Sequence, residues 1–166
     1  MPILTYSQCD YETEIFQSVI NFEIEKGATE LYFQCEKDKT FFTLTDFRKE
    51  SVMKVPDSIM NEIMNSANNS FNSIWDPAIL GTINYSKSQH LEKCLTKDEI
   101  IALFNSTKKR QTVLSISQPI FDLKHENCIV SITYWYYTGS ASGHSYFIKK
   151  IYGKWVIIET FGMWIT

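Results

Sequence analysis

Hydrophobic residues recur at helical spacing in three segments, residues 10–27, 56–70 and 96–107. Spacings of three and four residues place such side chains on one face of a helix. The apolar positions are Ile15, Phe16, Val19 and Ile20 in the first segment, Ile59, Met60, Ile63 and Met64 in the second, and Ile100, Ile101, Leu103 and Phe104 in the third. The pattern therefore predicts three amphipathic helices.

The ends of the first and third helices carry local signals. Asp10 is placed to cap the first helix, and Gly27 is placed to take the left-handed conformation that ends it. Thr96 and Glu99 have the spacing of a capping box, in which each side chain accepts a hydrogen bond from the other residue's amide. These residues predict both ends of the first helix and the start of the third helix.

Short runs rich in aromatic and β-branched residues predict strands in the rest of the chain. Two of them, residues 29–34 and 40–45, are separated by a polar stretch and predict a hairpin. The C-terminal runs are residues 112–117, 120–121, 128–137, 144–152 and 155–161. Glycine-containing turns at residues 139–143 and 153–154 join the last three strands. Residues 71–93 lack a clear period and are assigned no element.

This order of elements predicts an α+β fold, with N-terminal helices packed on a mostly antiparallel C-terminal β-meander. The 166 residues, without a linker or an internal repeat, are expected to form a single domain.

Strand 128–137 has two faces of different character. The first face carries Cys128, Val130, Ile132, Tyr134 and Tyr136, and the second face carries Ile129, Ser131, Thr133, Trp135 and Tyr137. Because the first face is more apolar, it is expected to face the core, and the second to face solvent or a partner. The aromatic residues indicate a binding surface; the alternative is that they are core and edge residues of a twisted sheet.

Charge and composition narrow the class of partner. Sixteen basic and nineteen acidic residues give a net charge of -3, so nucleic acid is not expected to bind. No apolar run approaches the roughly 20 residues of a membrane span. The protein is therefore expected to be soluble and cytoplasmic as the chain stands, or exported if an N-terminal signal has been removed.

Four cysteines, Cys9, Cys35, Cys94 and Cys128, are spread along the chain without a C-x-x-C pair. This spacing gives no signal for zinc or for a thioredoxin-like centre, and we expect neither metal nor cofactor. Reduced thiols are the expectation for a domain of this size, although two disulfides are the alternative.

The stretch from Gly139 to Gly143 resembles a hydrolase nucleophile turn only superficially. A nucleophile elbow has the pattern G-x-S-x-G and leads into a helix. Here Ala141 occupies the serine position, and a strand follows. The stretch therefore predicts a hairpin turn, and no catalytic residue is assigned. A nucleophile pair of Cys94 with His90 or His144 stays open as the alternative.

Several C-terminal motifs resemble those of uncharacterised bacterial proteins. They are SQPIF at residues 117–121, YGKW at 152–155 and WIT at 164–166, with weaker likeness at 75–77 and 94–96. The relatives carry S-x-P-x-F, a C-G-x-x-C-G-x-G loop, N-G-K-W and a terminal W-I-S. Thr138 and Ser142 stand where their loop has cysteines. The resemblance implies no established activity, and many such relatives are exported or lipid-anchored.

These observations favour a non-enzymatic, protein-binding module, with an immunity-like role against a toxin as one form of it. The alternative is a small hydrolase with a cysteine or serine nucleophile. The candidate binding residues are Trp135, Tyr137, Gly139, Ser140, Ser142, Gly143 and His144.

Overall fold

The computed structural model has an α+β fold with a mostly antiparallel main sheet, as predicted. It describes residues 6–28, 30–83, 90–136 and 139–166, and only the backbone of residues 6–10. The helices are α1 (Tyr6–Glu25), α2 (Leu44–Glu50), α3 (Asp57–Asn68) and α4 (Lys97–Thr107), with a 3-10 helix at Pro77–Thr82. The strands are β1 (Leu31–Gln34), β2 (Glu36–Lys37), β3 (Ser73–Ile74), β4 (His90–Leu95), β5 (Thr112–Ile116), β6 (Ile120–Phe121), β7 (Asn127–Tyr136), β8 (Ser140–Ile151) and β9 (Lys154–Ile165).

In the described part of the chain, the main sheet has the order β4-β1-β5-β7-β8-β9, and β6 also pairs with β7. Strand β1 is parallel to both of its neighbours. The pairs from β5 through β9 are antiparallel. Helix α4 connects β4 to β5, which is the helical crossover that parallel strands require. Strands β2 and β3 form a separate small sheet.

Helix α1 packs on the first face of the sheet. Its side chains at Phe16 and Ile20 are fully buried with Val130 and Ile132 of β7 and Ile148 of β8. Cys128, Val130 and Ile132 of the more apolar face of β7 are therefore core residues, but Ile129 of the other face is fully buried as well. Gly27, with φ of +93°, ends the helix region as its position predicts.

The second face is covered at its two ends by different helices. At one end Phe47 of α2 and Ile63 of α3 pack on Ile129 and Phe147. At the other end Ile100 of α4 packs on Val113. Between these two ends the described helices leave Ser131 and Thr133 of β7 only half-buried, so the middle of this face is open.

Two predictions for the N-terminal half are wrong. Helix α1 begins at Tyr6, so Asp10 lies inside it and does not cap it. The hairpin of residues 29–34 and 40–45 does not form, because β1 pairs instead with β4 and β5. Thr43 is the N-cap of α2, which occupies the end of the second run.

Cys35 and Cys94 form a disulfide, which contradicts the expectation of reduced thiols. Their separation of 59 residues hides the pairing in the sequence. The sheet brings them together because Cys35 directly follows β1 and Cys94 lies in the neighbouring β4. Cys128 is a buried free cysteine, and burial raises the pKa of its thiol. The side chain of Cys9 lies outside the described residues.

None of the described helices is both long enough and apolar enough to cross a membrane.

Candidate functional site

A cleft of about 660 Å³ opens on the uncovered middle of the second face. Its floor consists of hydroxyl side chains, and its walls are mostly aromatic. The floor residues are Ser115, Ser117, Ser131, Thr133 and Ser145. The apolar wall residues are Phe41, Phe42, Phe47, Phe161, Met163 and Trp164.

Strand register places the floor residues on one face. Ser131 of β7 lies opposite Ser145 of β8, which lies opposite Phe161 of β9. Directly opposed residues of neighbouring strands share a face of the sheet. A second row runs from Ser115 through Thr133 and Gly143 to Trp164. The cleft is therefore two adjacent rows of small side chains that end in large aromatic ones.

Three of the floor residues, Ser117, Ser131 and Ser145, have hydroxyls that bond to one another or to the backbone. The Ser131 and Ser145 hydroxyls are 2.8 Å apart, and the Ser131 amide donates to Ser117 Oγ over 2.8 Å. The Thr40 hydroxyl in turn contacts Ser117 Oγ and the Gln118 carbonyl. These bonds orient the side chains of Ser117, Ser131 and Ser145, and none of them involves an imidazole.

Gly143 allows one wall of the cleft to form. A Cβ at this position would lie 2.7 Å from the Ile132 carbonyl oxygen and 2.7 Å from the Trp164 ring. The indole therefore occupies the space where a side chain would stand. The predicted turn at residues 139–143 is wrong in this respect, because residues 140–143 belong to β8 and only Gly139, with φ of +112°, fits a turn glycine.

Strand β9 is tied to α2 at one end of the cleft. The pairing of β8 with β9 shifts register between Gly143 and Ser145, and Gly162 takes a φ of +65° there. The Gly162 amide donates to the Glu50 carboxylate of α2. Nearby, the Val52 amide donates to Glu159 Oε1 over 2.8 Å. These bonds hold the aromatic wall of β9 at a fixed distance from α2.

The rim of the cleft carries three carboxylates, Asp38, Asp46 and Glu50, and one ammonium, Lys39. Asp38 reaches the floor, since its Oδ2 atom is 3.5 Å from Ser115 Oγ. Among the ion pairs within the described part of the chain, none includes any of these three carboxylates. The cleft is therefore locally acidic.

A second polar cluster lies on the first face, around Glu23 of α1. Glu23 is only 2% exposed, and it accepts hydrogen bonds from the hydroxyls of Tyr134 and Tyr146. Lys26 Nζ lies 3.5 Å from Glu23 Oε1. Desolvation, followed by the bonds to Glu23, raises the pKa of both tyrosines well above 10. This arrangement satisfies a buried carboxylate and connects α1 to β7 and β8.

His144 belongs to this first-face cluster and not to the cleft. Its Nε2 atom is buried, is 3.9 Å from Glu23 Oε1, and has no hydrogen-bond partner in the described structure. Its ring packs on Tyr146 with the centroids 4.7 Å apart. Burial lowers the pKa of His144; Glu23 opposes this effect and Lys26 adds to it.

We expect His144 to make stability depend on pH. Because its folded-state pKa lies below the ordinary value of 6.5, the unfolded chain binds the proton more readily. The contribution of His144 to stability is therefore complete above pH 6.5 and decreases as the pH falls towards the folded-state pKa. One proton accounts for at most about 1.4 kcal/mol per pH unit. Urea unfolding between pH 8 and pH 5 measures this, and His144→Gln should have the smaller slope. Equal slopes in the two proteins would contradict the assignment.

The structure separates the predicted binding residues. Trp135 lies on the second face and is 43% exposed. Gly143 lies beneath the wall of the cleft, and Gly139 is in the exposed turn. Ser142 of β8 pairs with Tyr134 of β7, and His144 pairs with Ile132, so both belong to the first face. Ser140 pairs with Tyr136, which also lies on the first face. Tyr137 lies outside the described residues.

The nucleophile pair of Cys94 with a histidine is wrong. Cys94 is in the disulfide, and His90 stacks on Tyr32 with ring centroids 4.5 Å apart. Among the described residues, Ser140 and Ser142 form no hydrogen bond with an imidazole. No group of three metal-ligating side chains occurs in this part of the chain.

No protein-family model, no characterised protein and no solved structure matches this chain.

Proposed function

We propose that this protein is a non-enzymatic binding module that takes a segment of a partner protein into the cleft on the second face. The observation that carries the proposal is the cleft itself, a floor of hydroxyl side chains between aromatic walls of which Phe41 and Trp164 are exposed. In this proposal the whole chain is one α+β domain, and its N-terminal helices pack on the C-terminal meander as a rigid support.

The exposed side chains around the cleft support a binding role. Phe41 is 86% exposed, Met163 is 79% exposed and Trp164 is 41% exposed. Apolar side chains that cluster in this way around a concave site are typical of interaction surfaces. Trp135 continues the same face beyond the floor, so the contact surface extends past the cleft. A partner that covers these side chains would remove a large apolar area from water.

The types of side chain that line the cleft, and the hydrogen bonds they make, support a binding role over a catalytic one. The described residues that line the cleft include no histidine and no cysteine. A serine nucleophile needs an adjacent general base that a third group orients. Ser117, Ser131 and Ser145 bond to each other or to the backbone, and within the described structure Ser115 meets only the Asp38 carboxylate, at the long distance of 3.5 Å.

The disulfide supports an extracytoplasmic setting for this function. Disulfides persist in oxidising compartments and are rare in the cytosol. We therefore favour the exported alternative of the two localisations that the sequence leaves open.

Selection of peptides from a displayed library of random 12-residue sequences tests the proposal. Thr133→Tyr fills the floor of the cleft with a side chain that β-strands accept readily. The affinity of the selected peptides for this variant should therefore be at least about tenfold lower than for the wild type. The matched control is Thr160→Tyr, because Thr160 is exposed on β9 in the row of Tyr146, on the first face. Fluorescence polarisation gives the three affinities.

Equal binding by the wild type and both variants would contradict the proposal. The proposal would also be contradicted if the selection yielded no peptide that binds the wild type more tightly than it binds Thr133→Tyr.

A further inference from the structure

We propose that the cleft accepts a lysine or arginine side chain of the partner, with Asp38 as its counter-ion. This inference rests on the proposed binding function and names the chemistry that the site selects.

Asp38 is placed to meet a cation inside the cleft. Its carboxylate stands at the floor, beside Ser115, and not only at the outer rim. The backbone of Asp38 is fixed, because its carbonyl accepts a hydrogen bond from the Gln118 amide over 2.8 Å. The preceding lysine, Lys37, is already bound to Glu12 over 2.8 Å. A partner's cation would therefore find Asp38 positioned and without an ion-pair partner in the described structure.

The walls fit the rest of a basic side chain. Lysine and arginine have apolar stems that pack on apolar surfaces while the charged end meets polar groups. Here Phe42 and Trp164 are available to the stem. Aromatic faces also attract cations directly. The floor hydroxyls accept hydrogen bonds from ammonium or guanidinium N–H groups.

The net charge of the cleft disfavours other occupants. Three carboxylates against one ammonium repel an acidic segment, and like charges in an interface act strongly against the wrong partner. A wholly apolar side chain would bury the Asp38 carboxylate without a counter-ion, which is unfavourable. Charge complementarity therefore selects a basic residue.

The peptides selected on the wild type provide the probes. They should contain a lysine or arginine whose replacement, by norleucine for lysine or by citrulline for arginine, weakens binding about tenfold or more. Asp38→Asn should cause a loss of the same size, because it removes the charge and keeps the shape. The control is Asp98→Asn, which changes an exposed aspartate of α4 and should have no effect.

The outcomes separate this inference from the proposed function. Suppose that the Thr133→Tyr variant no longer binds the selected peptides, but that these peptides need no basic residue or bind Asp38→Asn normally. This result would overturn the inference and leave the binding function standing. Peptides that bind Thr133→Tyr normally would overturn both. Thermal unfolding of Asp38→Asn shows whether this variant is folded. Replacing the basic residue of the peptide tests the inference independently, because the protein itself is not changed.

Discussion

Removal of the disulfide between Cys35 and Cys94 is expected to lower the free energy of unfolding by about 4 kcal/mol. The bond closes a segment with a sequence separation of 59 residues, and closing a loop of this length removes about 4 kcal/mol of conformational freedom from the unfolded chain. The folded state loses little else, because the Cys35 amide still donates to the Leu95 carbonyl. Urea unfolding of the wild type and of the Cys35→Ser/Cys94→Ser variant measures the difference.

A reductant provides the control for this prediction. It should destabilise the wild type and leave the double-serine variant unchanged, since that variant has lost the bond on which the reductant acts. Alkylation of the native protein should not modify Cys128, because its thiol is buried. A wild type whose urea midpoint is the same with and without reductant would contradict the prediction.

The second large effect is expected from the two tyrosines that bond to Glu23. Tyr134→Phe together with Tyr146→Phe should lower the free energy of unfolding by about 3 kcal/mol or more, because each hydrogen bond to a charged group contributes roughly 1.5 to 3 kcal/mol. The cost is large because the carboxylate stays buried when both donors are lost. Urea unfolding of the double variant at pH 7 measures it.

A third substitution separates this cause from lost packing. Adding Glu23→Met to the two tyrosine changes removes the buried charge at similar volume, so the triple variant should recover much of the lost stability. A triple variant that is as unstable as the double variant would show that the hydroxyls matter for a reason other than the carboxylate.

Local patterns predict the parts of this fold that depend on neighbouring residues. The capping box at Thr96 and Glu99 is present as predicted, because its bonds span three residues. Apolar and aromatic runs predict β7 and the central parts of β8 and β9, but not the first four residues of β8 or the last four of β9. Strand β4 escaped prediction because it is a polar edge strand, in which Leu91 and Cys94 are buried while Glu92 and Lys93 are exposed.

The elements that escaped prediction depend on contacts between distant residues. Thr40 is fully buried, and its hydroxyl bonds to Ser117 and to the Gln118 carbonyl, so its segment is held beside the chain that follows β5 and forms no strand with β1. The disulfide likewise requires the parallel pairing of β1 and β4, which no local pattern encodes.

The alternation of residues along β7 predicts that its second face meets solvent or a partner. In the structure Trp135 lies exposed on this face, whereas Ile129 on the same face is buried. The cleft itself depends on which part of that face the helices cover, and this is decided by tertiary packing. One local signal for the cleft floor is present in the sequence: serine or threonine recurs at alternate positions, at 115 and 117 in and just after β5 and at 131 and 133 in β7.

The most direct test of the central claim is to map a selected peptide onto the protein by its effect on amide and indole resonances in proton–nitrogen NMR spectra. Our account predicts that the largest shifts occur at the cleft, at Ser131, Ser145 and the Trp164 indole. Shifts confined to the first face, around Ser142 and His144, or to the turn at Gly139, would contradict it.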